Sequence, residues 1–198
     1  MRRISGLFDR LTADGKMLKR ELDMTGVPVS IEQVKVPSEV HEMMDTIRTM
    51  IEGSSNNPGL EEARILMHQR RQQEPYKVQA TVDIAVDAIA NGRQAVIFAS
   101  RVNESNVGEA DEEGEFAVTS AGTMKLLLEE LEKRGISAAD VAQIHGGLKP
   151  SKLPKEMDRF QSGAAKVVIA TVESGGTGIN LDDTTGDAPR TLVMMTAP

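Results

Sequence analysis

The sequence predicts an α/β fold, a doubly wound parallel sheet with helices on both faces. Three observations carry this. Ala95-Val96-Ile97-Phe98-Ala99 and Val167-Val168-Ile169-Ala170 are short unbroken apolar runs between turn residues, as strands buried on both faces require. The segments between such runs repeat their apolar residues at helical spacing. The two patterns alternate along the chain, and strands that alternate with helices pair in parallel through helical crossovers.

Taken in order, Val29-Ser30-Ile31-Glu32-Gln33-Val34-Lys35-Val36 alternates apolar and polar residues, which predicts a half-buried strand stopped by Pro37. Ser38 stands at the N-cap of a helix, with Glu39 and Glu42 in the first turn and Val40, Met43, Met44, Ile47 and Ile51 on one stripe. Gly53 to Gly59 is a loop. Leu60 to Gln73 reads as a second helix, broken by Pro75. Val78, Val82, Ala85, Val86 and Ile89 form the stripe of a third, which Gly92 ends. After the strand at Ala95 to Ala99, residues 103–120 are polar and acidic, a loop by composition. Met124, Leu127, Leu128 and Leu131 line the next helix, with Gly135 at its C′ position. Val141 to Ile144 is a strand and Lys152 to Gln161 a helix with Leu153, Met157 and Phe160 inward. Lys166 to Thr171 and Thr191 to Met195 are strands. The chain therefore divides into a lead-in and helical segment, residues 1–74, and an α/β body, residues 75–198. Ligands of open α/β sheets bind beyond the carboxyl ends of the strands, which singles out the loops after Ala99, Ile144 and Ala170.

Composition narrows the function classes. The chain has 198 residues, 23 Lys+Arg against 30 Asp+Glu, a net charge of −7, no Cys and 3 His. Without cysteine there is no disulfide framework, thiolate metal site or cysteine nucleophile. Three scattered histidines make no ligand pattern, so no metal site is expected. No apolar run approaches the roughly 18 residues of a membrane span, and the basic start Met1-Arg2-Arg3 lacks the apolar stretch of a secretory signal. A cytoplasmic protein (nuclear in a eukaryote) without a membrane partner is expected. Aromatic residues are 3%, too few for a base-stacking platform. Glu104, Glu109, Asp111, Glu112, Glu113 and Glu115 crowd one stretch, read as a solvated insertion or, more sharply, as an interaction tail or nucleic-acid mimic. Arg64, Arg70, Arg71 and Lys77 read as a solvated helix face or, alternatively, as a phosphate contact. The pairs Met43-Met44 and Met194-Met195 read as core fillers.

The most informative stretches are Ala95 to Arg101, then Ile144-His145-Gly146-Gly147, then Thr171-Val172-Glu173-Ser174-Gly175-Gly176-Thr177-Gly178-Ile179-Asn180-Leu181. In this order and spacing they resemble motif IV, the segment after it, and motif V of the second RecA-like lobe of superfamily 2 helicases and translocases. The Gly-Gly-Thr-Gly-Ile-Asn-Leu form is similar to the Swi/Snf-type and strawberry-notch-like branches, and Gly15 to Val27 resembles the lead-in of strawberry-notch-like proteins. The resemblance covers residues 77–198 and implies a three-layer RecA-like sheet. It also implies site residues. Ser100, Arg101, His145, Gly146, Thr171, Gly175 and Gly176 would face nucleic acid, most simply DNA. Gly178, Asn180 and Asp183 would face the ATP cleft, with ATP and its magnesium ion held mainly by a first lobe that this chain lacks. The physics agrees: glycine-rich loops let backbone N–H groups approach phosphate oxygens, and such contacts hold a strand without reading its sequence.

The departures from the family pattern matter equally. No Gly-x-x-x-x-Gly-Lys-Ser/Thr loop occurs, since Met17 follows Gly15-Lys16, and Asp111-Glu112-Glu113 lies in a polar loop rather than after an apolar strand, so Walker A and Walker B are missing. Motif VI, which carries the family's arginine finger, would follow Pro198. Such a finger is worth about 10³–10⁵ in rate in related phosphoryl transfer. On this resemblance the chain is a fragment with an incomplete sheet and no catalytic residue of its own. An N-terminal ATPase lobe is its expected partner, in the same or a separate chain. Two other readings stay open: a phosphoribosyltransferase-like phosphate-binding protein, on the strand and loop from Val167 to Gly178, and a non-catalytic nucleic-acid or partner-binding module. His145 reads as a turn or packing residue rather than an acid–base catalyst, because no nucleophile or carboxylate pattern accompanies it.

Overall fold

A parallel sheet of four strands, ordered β2-β3-β1-β4, forms the middle layer. The strands are β1 (Gln94–Ala99), β2 (Val141–Ile144), β3 (Val167–Thr171) and β4 (Arg190–Met194). Among the described residues four α-helices accompany them: α1 (Ser38–Ile51), α2 (Pro58–Ala90), α3 (Thr123–Lys133) and α4 (Leu153–Gln161). The computed structural model describes residues 27–52, 58–99, 122–171, 179–183 and 185–195. The chain divides into two units, Met1–Glu32 and Gln33–Pro198. The described part of the first unit, residues 27–32, is neither helix nor strand.

Alternation along the strands builds the three layers. Ala95, Ile97 and Ala99 of β1, with Val141, Val167, Ile169 and Val193, face Val78, Val82 and Ala85 of α2 and Met124, Leu127 and Leu131 of α3. Val96, Val168, Ala170, Ala142 and Ile144 face the other way, onto Phe160, Leu153 and Met157 of α4 and onto Ile179 and Leu181. The connections obey one hand. The chain leaves β1 past β3 to β2 through α3, then moves back across the sheet to β3 and on to β4 through the opposite layer. Reversed direction with reversed face keeps every crossover of the same hand. Gly135 (φ +82°) ends α3 in the left-handed conformation a C′ glycine supplies.

The edge strands differ. On β2 the outward N–H of Gln143 donates to Glu156 (3.1 Å), and Arg159 donates to Glu156 (2.8 Å) and to the carbonyl of Ala139, so side chains of α4 cover that edge. On β4, Leu192 and Met194 stay exposed. Strand alternation splits the methionine pair accordingly: Met195 is buried and Met194 is not. In α1, Met44 is buried and Met43 is half-buried.

Three local expectations are corrected. Residues 29–36 form no strand. Val29 and Ile31 are 81% and 88% exposed, no partner strand pairs with them among the described residues, and an isolated strand has nothing to stabilise it. Ser38 is the first residue of α1 rather than its cap; Pro37 holds the cap position, and no side chain caps the helix. Pro75 does not break the helix, because α2 runs unbroken from Pro58 to Ala90. An interior proline removes one hydrogen bond and costs about 3 kcal/mol or more. That cost is offset because α1 packs against α2 and Val78, Val82 and Ala85 beyond Pro75 pack on the sheet. Residues 74 and 75, between which the sequence divides lead-in from body, are consecutive positions of this helix.

Candidate functional site

Parallel pairing brings the strand ends to one edge. Ala99 lies opposite Thr171, Ile144 opposite Ala170, and Phe98 opposite Met194. The chain leaves the sheet here after Ala99, Ile144, Thr171 and Met194. Thr171 ends β3 and is 6% exposed, on the same face as Ala99. His145 and Gly146 open a tight turn in which the Leu148 N–H donates to the His145 carbonyl (2.9 Å). The His145 ring lies over Gly147: a Cβ built there would stand 3.3 Å from Nδ1. This is the turn residue the sequence suggested. Ser100, Arg101, Gly175, Gly176 and Gly178 lie outside the described residues, as do the acidic stretch 103–120 and the lead-in 15–26.

Helix α2 ties down two of the chain segments at this edge. Lys77 Nζ donates to the Met195 carbonyl (2.8 Å), just past β4. Thr123, the first residue of α3, donates its hydroxyl to Glu74 (3.0 Å), and both are buried. Lys77 is therefore a tether, neither a solvated charge nor a free phosphate contact. Sequence reasoning missed Glu74, and no local signal could have shown it, because its partner is 49 residues away.

Beside the His145 turn lie Lys149, Lys152 and Lys155, all exposed. The Lys152 N–H donates to the Lys149 carbonyl (2.8 Å). The signal for these residues was present in the sequence, in their repeat at every third position.

Asn180 and Asp183 sit elsewhere. Gln161, the last residue of α4, donates to the carbonyls of Asn180 (2.8 Å) and Asp182 (3.1 Å). Arg190, the first residue of β4, donates to the carbonyls of Leu181 (3.3 Å) and Ala188 (2.8 Å) and to Gln161 Oε1 (3.1 Å), and stacks 4.6 Å over the Phe160 ring. Since α4 leads from the carboxyl end of β2 to the amino end of β3, this network lies toward the amino edge. Asp183 holds the loop before β4. Its Oδ1 accepts from the N–H groups of Thr185 (3.2 Å) and Gly186 (2.8 Å) and from the Thr185 hydroxyl (3.2 Å), and its Oδ2 accepts from the Ala188 N–H (2.9 Å). Gly186 supplies the positive φ (+81°) this turn needs. Burial pushes the Asp183 carboxyl up, but the N–H groups of Gly186, Ala188 and Thr185 outweigh it and hold it below the usual 3.8. The structure thus brings His145, Gly146 and Thr171 to one edge and holds Asn180 and Asp183 toward the other. Among the described residues no group of three or more His, Asp or Glu could hold a metal ion, and no helix is long and apolar enough to cross a membrane.

Residues 76–185, more than half of the chain, match the helicase conserved C-terminal domain. The match includes Val167 to Gly178, the stretch on which a phosphoribosyltransferase-like reading would rest. No curated protein is significantly similar to the chain. Among solved structures, the C-terminal domain of a SWI2/SNF2 ATPase from Sulfolobus solfataricus superposes with a TM-score of 0.51 at 14% identity, over 81% of this chain and 76% of that one. At that identity the likeness is one of fold, a RecA-like C-terminal domain.

Proposed function

Because the chain belongs to the helicase conserved C-terminal domain family, we propose that it serves as the second lobe of an ATP-dependent motor and grips the backbone of nucleic acid, most simply DNA, along the carboxyl edge of its sheet. The observation that carries this reading is the convergence of three strand ends, at Ala99, Ile144 and Thr171, on that edge. Backbone N–H groups and a threonine hydroxyl there suit phosphate oxygens and read no base, so the grip is independent of sequence. Ser100, Arg101, Gly175 and Gly176 would complete it.

A first lobe, in the same or another chain, would hold the triphosphate, and ATP with its magnesium ion would supply the free energy of phosphoanhydride hydrolysis. This chain would add one wall of the cleft. Asn180 suits that wall, since its side chain is exposed and its Oδ1 accepts from the Asp182 N–H (3.0 Å), which leaves the amide N–H groups for a nucleotide. Asp183 already engages both oxygens within its own loop, so its part is to hold the wall in shape. Closing and opening of the two lobes would move the grip along the strand, a hinge transition.

The test is binding of labelled oligonucleotides of unrelated sequence by the chain across a salt series. Expected is weak binding of similar strength for every sequence, falling linearly with salt on a log–log plot. No binding at low salt would overturn the grip.

A further inference from the structure

We infer that Lys149, Lys152 and Lys155 form a phosphate rail that carries the polynucleotide off the β2 end of the carboxyl edge. The inference rests on the proposed grip and extends it to residues outside the family's motif segments. β2 is the outermost strand on its side of the sheet. A backbone lying across the ends of β1, β3 and β2 therefore leaves the sheet over the turn that follows Ile144, and the three lysines stand there.

Four observations give the row its character. First, all three lysines are exposed, and none has an ion-pair partner among the described residues. Second, the nearest acid in sequence is occupied. Glu156 accepts from the Gln143 N–H and from Arg159, while Asp158 lies beyond ion-pair distance of all three lysines. Third, the row is rigid. The Lys149–Lys152 turn closes through its own hydrogen bond, Pro150 and Pro154 restrict the backbone, and Leu153 and Met157 pin the start of α4 to the sheet. Little backbone order is then lost on binding. Fourth, the charge is local. A chain of net charge −7 repels polyanions as a whole, so a basic row with no acidic partner among the described residues is where a phosphodiester chain would be held. Lysine is a point charge without a planar fork, which fits a moving backbone better than a fixed base.

The experiment measures affinity for a fluorescein-labelled oligothymidylate across a sodium chloride series. It compares the unaltered chain with K149A/K152A/K155A, with K149R/K152R/K155R, and with K133A/K166A, which removes positive charge from the amino edge. Melting curves confirm that each variant folds. Each phosphate contact contributes about 0.7 to the log–log salt slope for a single strand, so the triple alanine variant is expected to lose about 2 from the slope. The arginine variant and the amino-edge variant should keep it. A wild-type slope in the triple alanine variant would overturn the rail and leave the lobe's grip standing. Failure of the unaltered chain to bind at low salt would overturn both. Competition by polyglutamate as effective as that by unlabelled oligothymidylate would overturn the assignment to nucleic acid.

Discussion

The two edges of the sheet are built on different principles. At the amino edge many polar groups are spent on one another, although Gln94 Oε1 is buried without a partner. Gln94, 6% exposed, donates to the carbonyls of Phe160 (2.8 Å) and Ala165 (2.6 Å), Gln161 and Arg190 bracket residues 180–190, and Asp183 closes its own loop with four hydrogen bonds. At the carboxyl edge the polar groups near the β2 end stay available. Gly146, Gly147 and three lysines are exposed, while Glu74 is tied to the start of α3 and Lys77 to the end of β4. On the proposed grip, the carboxyl edge near β2 keeps exposed groups for the polynucleotide while the amino edge ties many of its own together, so substitutions at the two should separate stability from nucleic-acid binding.

The largest effect on the stability side is expected from Phe160→Ala. The ring is fully buried between the sheet and Arg190, and its loss should cost about 3–5 kcal/mol in chemical denaturation. Affinity of the folded fraction for an oligonucleotide should change little; an equal loss of both would break the contrast between the edges. A smaller, pH-dependent effect is expected from Asp183→Asn. Because Asp183 is held below 3.8, its ionised form favours the folded state. That stability is present above pH 3.8 and is lost as the pH falls through the folded value. Denaturation measured against pH should show the unaltered chain ahead near neutrality and the two converging in acid; a constant gap would mean that the carboxylate charge does not hold the loop.

The same contrast explains what could be read from the sequence. The strands at 95–99, 141–144 and 167–171 and helices α3 and α4 were legible, because a buried strand or an amphipathic helix writes its environment into a local period. So was the edge at which these strand ends gather, since parallel strands must all end on one side. Pro75 inside α2, the irregular 29–36 segment and the Glu74 and Lys77 ties were not. Each depends on what lies opposite in space: α1 and the sheet for Pro75, the lack of a partner strand among the described residues for Val29 and Ile31, and residues 49 and 118 positions away for the two ties. The residues implied by family resemblance divide in the same way. His145 and Thr171 could be placed by strand geometry, whereas the position of Asp183 depends on Thr185, Gly186 and Ala188 folding back onto it.

Hydrogen–deuterium exchange of the chain with and without an oligonucleotide tests the division of labour most directly. Slowed exchange is expected at the carboxyl ends of β2 and β3 and through the turn at residues 145–152, with the amides of residues 180–190 unchanged. Protection confined to residues 180–190, or none at either edge under conditions of measured binding, would contradict it.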